Sequence, residues 1–155
     1  MPRAPLGITS PTQAGGWETD SQGIANGAAG VQLSTTELAT IGQLILDRGT
    51  RRSVTGDVQV VDGDYIDTMT HATVATGDTA DQTPSYGLGV WLGEPAFGKP
   101  FVLGEGDGGQ FVVIEPDANA VVVATTTWQG LDTQTANGDH DALYSVIVNQ
   151  LLPSL

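Results

Sequence analysis

The sequence has no cysteine. Disulfides, thiolate metal sites and a cysteine nucleophile are therefore excluded, and any redox compartment is compatible with the chain. Lysine is nearly absent: Lys99 is the single copy, and the formal net charge is -13. Such a surface repels phosphate backbones and anionic membranes, so no nucleic-acid partner is expected. No apolar run approaches the ~20 residues that cross a bilayer, so no membrane span is expected. The start, Met1-Pro-Arg-Ala-Pro-Leu-Gly7, lacks the apolar core of a signal peptide. Two readings follow: a cytoplasmic chain, or one whose targeting segment lies upstream, which would suit a periplasmic or secreted protein.

What is present suits one folded domain on length, and hydrophobic residues make up 39%, enough for a core. The acidic, Thr/Val/Gly-rich surface fits either a protein kept soluble in high salt or an ordinary acidic protein. Residues 1–30 read as a loop rich in Gly, Pro, Thr and Ala. Trp17 stands out within it, as a core plug or as the lining of a cleft. Ser34-Thr35-Thr36-Glu37 is a capping box between Leu33 and Leu38, and Leu38, Ile41, Leu44 and Ile45 recur at helical spacing. A helix over 34–48 is expected, with Arg48 at its negative end and Gly49 as its left-handed stop.

Beyond it, Val58 to Val61 reads as a short strand, Asp64 to Thr73 as a short helix with Ile66 and Met69 inward, and 76–85 as a polar loop. Tyr86 to Leu92 alternates like one strand, stopped at Gly93-Glu94-Pro95. Pro100 to Leu103, Gln110 to Glu115 and Ala120 to Thr127 read as three more strands. Gly104 to Gly109 is the first turn between them, and Pro116-Asp117-Ala118-Asn119 is the second. Val121-Val122-Val123 is apolar on both faces, which suggests a central strand. Asp139 is a candidate cap for a final helix over 139–152, with Leu143, Ile147 and Leu151 as its stripe. The order loop, helix, antiparallel strands over 86–127, helix is an α+β pattern.

Candidate chemistry is sparse. Gly104-Glu105-Gly106-Asp107-Gly108-Gly109 resembles a phosphate cradle in glycine content only, because strand follows it and two carboxylates sit inside it. It reads either as a bulged hairpin or as close backbone approach to a substrate. His71 and His140 share no metal spacing, and His140 reads as part of a helix cap. Asp57, Asp62, Asp64 and Asp67 lack the calcium-loop pattern and read as a solvated face. No cofactor is implied. No G-x-S-x-G elbow and no Ser-x-x-Lys occurs, and the nearest approach to Tyr-x-Asn, Tyr65-Ile66-Asp67, ends in Asp.

Five segments, in order, nonetheless resemble the serine β-lactamase-like hydrolases: class C β-lactamases, DD-peptidases, related esterases and 6-aminohexanoate-dimer hydrolases. They are Trp17-Glu18-Thr19-Asp20 with Gln22-Gly23; Gly30 to Leu44, similar to a "GL-x-LS-x-x-DLA-x-x-GQL" helix; Val54-Thr55-Gly56 with Val60; Tyr86 to Trp91; and Phe101 to Thr127, similar to "A-x-G-x-GGQ-x-x-x-x-x-P" followed by a Val-rich strand. The resemblance implies the C-terminal part of the β-lactamase/transpeptidase-like fold, an antiparallel sheet with flanking helices spanning 1–155. It places the substrate-aligning Lys/His-Thr-Gly position on Gly104, Glu105 and Gly106, with Trp17 as a further substrate-binding residue. No cation stands at that position, so binding of a β-lactam carboxylate is not implied.

The family's Ser-x-x-Lys and Tyr-x-Asn would precede Met1, so no catalytic residue is assigned in this chain. The implied activity is hydrolysis of a small-molecule ester or amide by the complete protein through an acyl-serine intermediate. The chain alone is expected to be inactive, since losing a nucleophile costs about a millionfold in serine proteases. Two other readings stand beside it: a catalytically dead module that binds peptide or glycan or pairs with a partner chain, and a self-standing α+β binding domain. An isolated chain missing upstream strands is expected to self-associate.

Overall fold

The computed structural model describes residues 5–10, 16–77, 82–94, 98–127 and 129–155. The expected stop at Pro95 and the centre of the 76–85 loop lie outside these residues. The chain is α+β, with an antiparallel sheet between helices.

Helix α1 spans Thr35–Leu46 and starts where the capping box forms: the Glu37 amide donates to Ser34 Oγ, and the Glu37 carboxylate accepts from the Ser34 amide. Its C-terminus closes on Arg48 and Gly49, both left-handed (φ 49° and 79°). A Cβ at Gly49 would lie 2.0 Å from the Val61 carbonyl oxygen, so glycine is needed there for space as well as for φ. Strands β1 (Thr50–Arg51) and β2 (Val58–Gln59) form a small separate hairpin. Helix α2 (Gly63–Met69) is capped by Asp62 and buries Ile66.

Among the described residues the main sheet has the order β3 (Val74–Ala75), β4 (Ser85–Tyr86), β5 (Trp91–Gly93), β6 (Phe101–Gly106), β7 (Gln110–Glu115), β8 (Ala120–Ala124). Every neighbouring pair is antiparallel. Alternation along β6 and β7 feeds two cores. Phe101, Leu103, Phe111 and Val113 face Ile147, Val148 and Leu152 on one side. Val102, Val112 and Ile114 face Leu38, Ile45 and Leu46 of α1 on the other. Each fully buried side chain of this size contributes about 1.5–3 kcal/mol of transfer free energy. Gly42 lets α1 approach the sheet: a Cβ there would lie 2.6 Å from Val121 Cγ1 and 2.9 Å from Val112 Cγ2.

Four expectations are corrected. Tyr86 to Leu92 is not one strand: β4 and β5 are joined by a tight turn, with the Gly87 amide donating to the Val90 carbonyl (2.8 Å) and Leu88 exposed. The Leu88 amide donates to the Met69 carbonyl (3.0 Å), and a Cβ at Gly87 would lie 2.1 Å from the same oxygen, so only glycine lets the turn sit this close to α2. The first glycine turn is shorter than 104–109, because Gly104, Glu105 and Gly106 continue β6 in register with Val112, Phe111 and Gln110. Among the described residues β8 is an edge strand; it is apolar on both faces because helices cover both faces, with Val121 and Val123 toward α1 and Val122 and Ala124 toward the C-terminal helix. The last helix, α3 (Thr133–Val146), is capped by Asp132, whose carboxylate accepts from the Thr135 amide and hydroxyl (3.0 and 2.9 Å). It runs on through a π-type turn at Ile147–Leu151 and a short 3₁₀ turn at Leu152–Ser154. Asp139 lies inside α3.

Candidate functional site

The tip of β6 carries the residues that stand out chemically. The register of β5 with β6 ends at Trp91 opposite Leu103. From Gly104 to Gly106, β6 is paired with β7 on one side, and among the described residues no named strand pairs with its other side. A strand with one free side presents main-chain donors and acceptors to an extended ligand. Glycine at 104 has a packing reason as well, since a Cβ would lie 2.7 Å from Val112 Cγ1. Gly106 has more room, with Gln110 Cβ at 3.4 Å from the added atom.

The turn after this tip is fixed from two sides. Gly108 and Gly109 both take positive φ (74° and 87°), which only glycine adopts without strain. The Thr126 hydroxyl donates to the Gly108 carbonyl, and Gln110 Nε2 donates to the Thr126 carbonyl (2.9 Å). A Cβ on Gly109 would lie 3.2 Å from Thr126 Oγ1 and 3.6 Å from His140 Cα. The main chain of the turn therefore rests against both the exit of β8 and α3.

Glu105 points from β6 toward α3. Its Oε1 lies 2.7 Å from Nε2 of His140, whose Nδ1 lies 3.0 Å from Asp141 Oδ1. The imidazole also packs on Phe111, with ring centroids 4.9 Å apart. Burial alone lowers the pKa of His140, but hydrogen bonds to Asp141 and Glu105, together with their charges, outweigh it and raise the pKa above the ordinary histidine value. The expected place of His140 in a helix cap is thus corrected: it sits within α3 and reaches a strand 35 residues earlier. The adjacent His140-Asp141 pair was visible in the sequence, but nothing local to it indicates Glu105.

Trp17 is not brought into this cluster by any hydrogen bond or ring contact among the described residues. Its indole donates to the Asn26 carbonyl (2.8 Å), and the residue bridges to Val31. With Thr19 bridging Ala25, it shapes a hairpin-like excursion within the loop that leads into α1. Trp17 is 39% exposed, so it does not plug a core.

Three of the four aspartates of the 57–67 segment are engaged in local structure. Asp67 pairs with Arg48, Asp57 with Arg52, and Asp62 caps α2. Among the described residues no group of three or more His, Cys, Asp or Glu side chains could hold a metal ion. None of their helices is long and apolar enough to cross a membrane. A buried carboxylate escaped the sequence reading: Glu115, fully buried, accepts from the Asp117 and Ala118 amides (3.1 and 2.6 Å) and so organises the second turn.

No protein-family model matches the chain, and comparison with curated proteins gives no match.

Proposed function

We propose that this chain is the sheet-bearing part of a serine hydrolase of the β-lactamase/transpeptidase-like fold, acting on an ester or amide. The observation that supports this reading is the free edge of β6 over Gly104–Gly106, next to a glycine turn held against α3 and β8. An antiparallel sheet with α1 on one face and α3 on the other is compatible with it. In the reaction, a serine supplied from outside residues 1–155 attacks the carbonyl carbon. The bond to the leaving oxygen or nitrogen breaks, and the leaving group departs with the serine proton. Water then attacks the acyl-serine, releases the acid and restores the hydroxyl. The contribution of this chain is alignment: main-chain groups of β6 would pair with the acyl part of the substrate. Glu105, Asp141 and a protonated His140 sum to one negative charge beside the edge, which favours an uncharged acyl group over a carboxylate.

The test is incubation of the purified chain with p-nitrophenyl esters and a fluorophosphonate probe. The expected result is no protein-dependent p-nitrophenol release and no covalent adduct by mass spectrometry. Robust turnover, or an adduct on any residue of the chain, would overturn the division of labour.

A second reading, an assembly module that pairs with a partner chain, is favoured by β8. This edge strand reads Ala-Val-Val-Val-Ala, with no charge, proline or bulge to protect it.

A further inference from the structure

His140 touches two carboxylates at once, through both ring nitrogens. A neutral imidazole carries one N–H and can donate to only one of them; the imidazolium carries two and donates to both. Among the described residues, neither Glu105 nor Asp141 has any other cationic partner in an ion pair. We propose that His140 is a positioning residue that works as a proton-dependent latch: protonated, it ties the tip of β6 to α3 through Glu105 and to its own helix through Asp141, and deprotonated, it loses the charge that strengthens both ties and keeps a proton for only one of them.

The surroundings favour the latched form. The β6 strand presents Glu105, and the turn beyond it carries Asp107. Strand β7 presents the Phe111 ring at 4.9 Å, and α3 itself supplies Asp141, with Asp139 preceding His140 in the chain and Tyr144 one turn on, its ring 5.9 Å from Phe111. Glu105 and Asp141 are the two acceptors of the imidazolium, and no lysine or arginine pairs with either of them among the described residues. The raised pKa of His140 agrees with this.

Because the folded value is raised, the latch is complete below the ordinary histidine pKa of about 6.5 and is lost as pH climbs through the raised value. Its consequence is local. Gly104 and Gly106 flank the tethered residue on a strand paired on one side only, so among the described residues Glu105 is the side chain of Gly104–Gly106 that ties this stretch to α3. That the fastened tip aligns a substrate rests on the hydrolase reading. The latch itself is measured by strand order and not by turnover, so the two can fail separately.

The experiment is amide hydrogen exchange at Gly104–Gly106, corrected for intrinsic exchange, at about pH 5.5 and about pH 8.5, on either side of histidine titration. Protection in the wild type should fall about tenfold across this interval, the size expected when one charge-assisted hydrogen bond is lost. His140→Gln should show a flat profile, and Glu105→Gln, which keeps a neutral acceptor, should shift the midpoint down. Equal profiles in wild type and His140→Gln would overturn the proposal. Should His140→Gln fail to fold, wild-type NMR decides: the His140 ring nitrogens and the Gly104–Gly106 amides must titrate with one midpoint, and separate midpoints would overturn it.

Discussion

Two helical glycines in this chain should respond in opposite directions to the same substitution. Gly42 lies in α1 against the sheet, and Gly138 lies on the exposed side of α3. Glycine inside a helix costs about 0.5–1 kcal/mol relative to alanine, so propensity favours Gly→Ala at both. Space decides the rest. Around Gly138 nothing lies within 4 Å of an added Cβ, so the full gain remains. At Gly42 the new methyl would sit 2.6 Å from Val121 Cγ1 and 2.9 Å from Val112 Cγ2. Both neighbours are β-branched and stiff at χ1, and both are packed in the sheet, so relief requires α1 to back away from β7 and β8. Overpacking of this kind costs about 1–3 kcal/mol. The net for Gly42→Ala is thus a loss of up to about 2.5 kcal/mol, against a gain of up to about 1 kcal/mol for Gly138→Ala. For a chain of this length 1 kcal/mol moves Tm by about 2–4 °C. Thermal unfolding followed by circular dichroism should place Gly42→Ala below and Gly138→Ala above the wild type. A stabilised Gly42→Ala would refute the close packing of α1 on the sheet.

Other outcomes follow from the same structure. Glu115→Ala leaves the Asp117 and Ala118 amides without their acceptor and should cost about 1–3 kcal/mol in urea unfolding, with Glu115→Gln losing less; equal losses would show that the buried acceptor is not what matters. Glu37 accepts from Ser10, Ser34 and Thr9, with the Ser10 hydroxyl the strongest influence, and its pKa is held far below the carboxylate range. That stabilisation is present above the ordinary glutamate value of about 4.3 and is lost as pH falls through the depressed one. The acid limb of a pH–stability profile should therefore be shallower in Glu37→Gln, and an unchanged limb would contradict the assignment. The open β8 edge should drive self-association that rises with salt, as screening offsets the net charge of -13. A monomer at every salt concentration in sedimentation equilibrium would count against that edge being sticky.

Local chemistry was readable in the sequence wherever neighbours in the chain are also neighbours in space. Ser34 and Glu37 mark α1, and Pro116 to Asn119 mark a turn, closed by the Asn119 amide donating to the Pro116 carbonyl (3.1 Å) with Asn119 left-handed. Misreadings arose where a distant contact decides. The Leu88, Val90, Leu92 alternation has a strand period, yet the chain turns there, with the Gly87 amide donating to the Val90 carbonyl (2.8 Å) and the Leu88 amide to the distant Met69 carbonyl (3.0 Å). The first half of α3 is polar and contains Gly138, which hid the cap at Asp132. Val121 to Val123 are apolar because helices cover both faces, which says nothing about whether a strand pairs on each edge. The His140–Glu105 contact spans α3 and β6, and no local pattern encodes it.

The central claim is that the free side of β6 at Gly104–Gly106 receives the acyl part of an ester or amide. Titration of the ¹⁵N-labelled chain with a small, slowly hydrolysed amide tests it directly. The account predicts saturable shifts of the Gly104, Glu105 and Gly106 amides, with smaller changes at Gly108 and Gly109. Saturable shifts confined to other residues, or no response at these amides up to the solubility limit of the ligand, would contradict it.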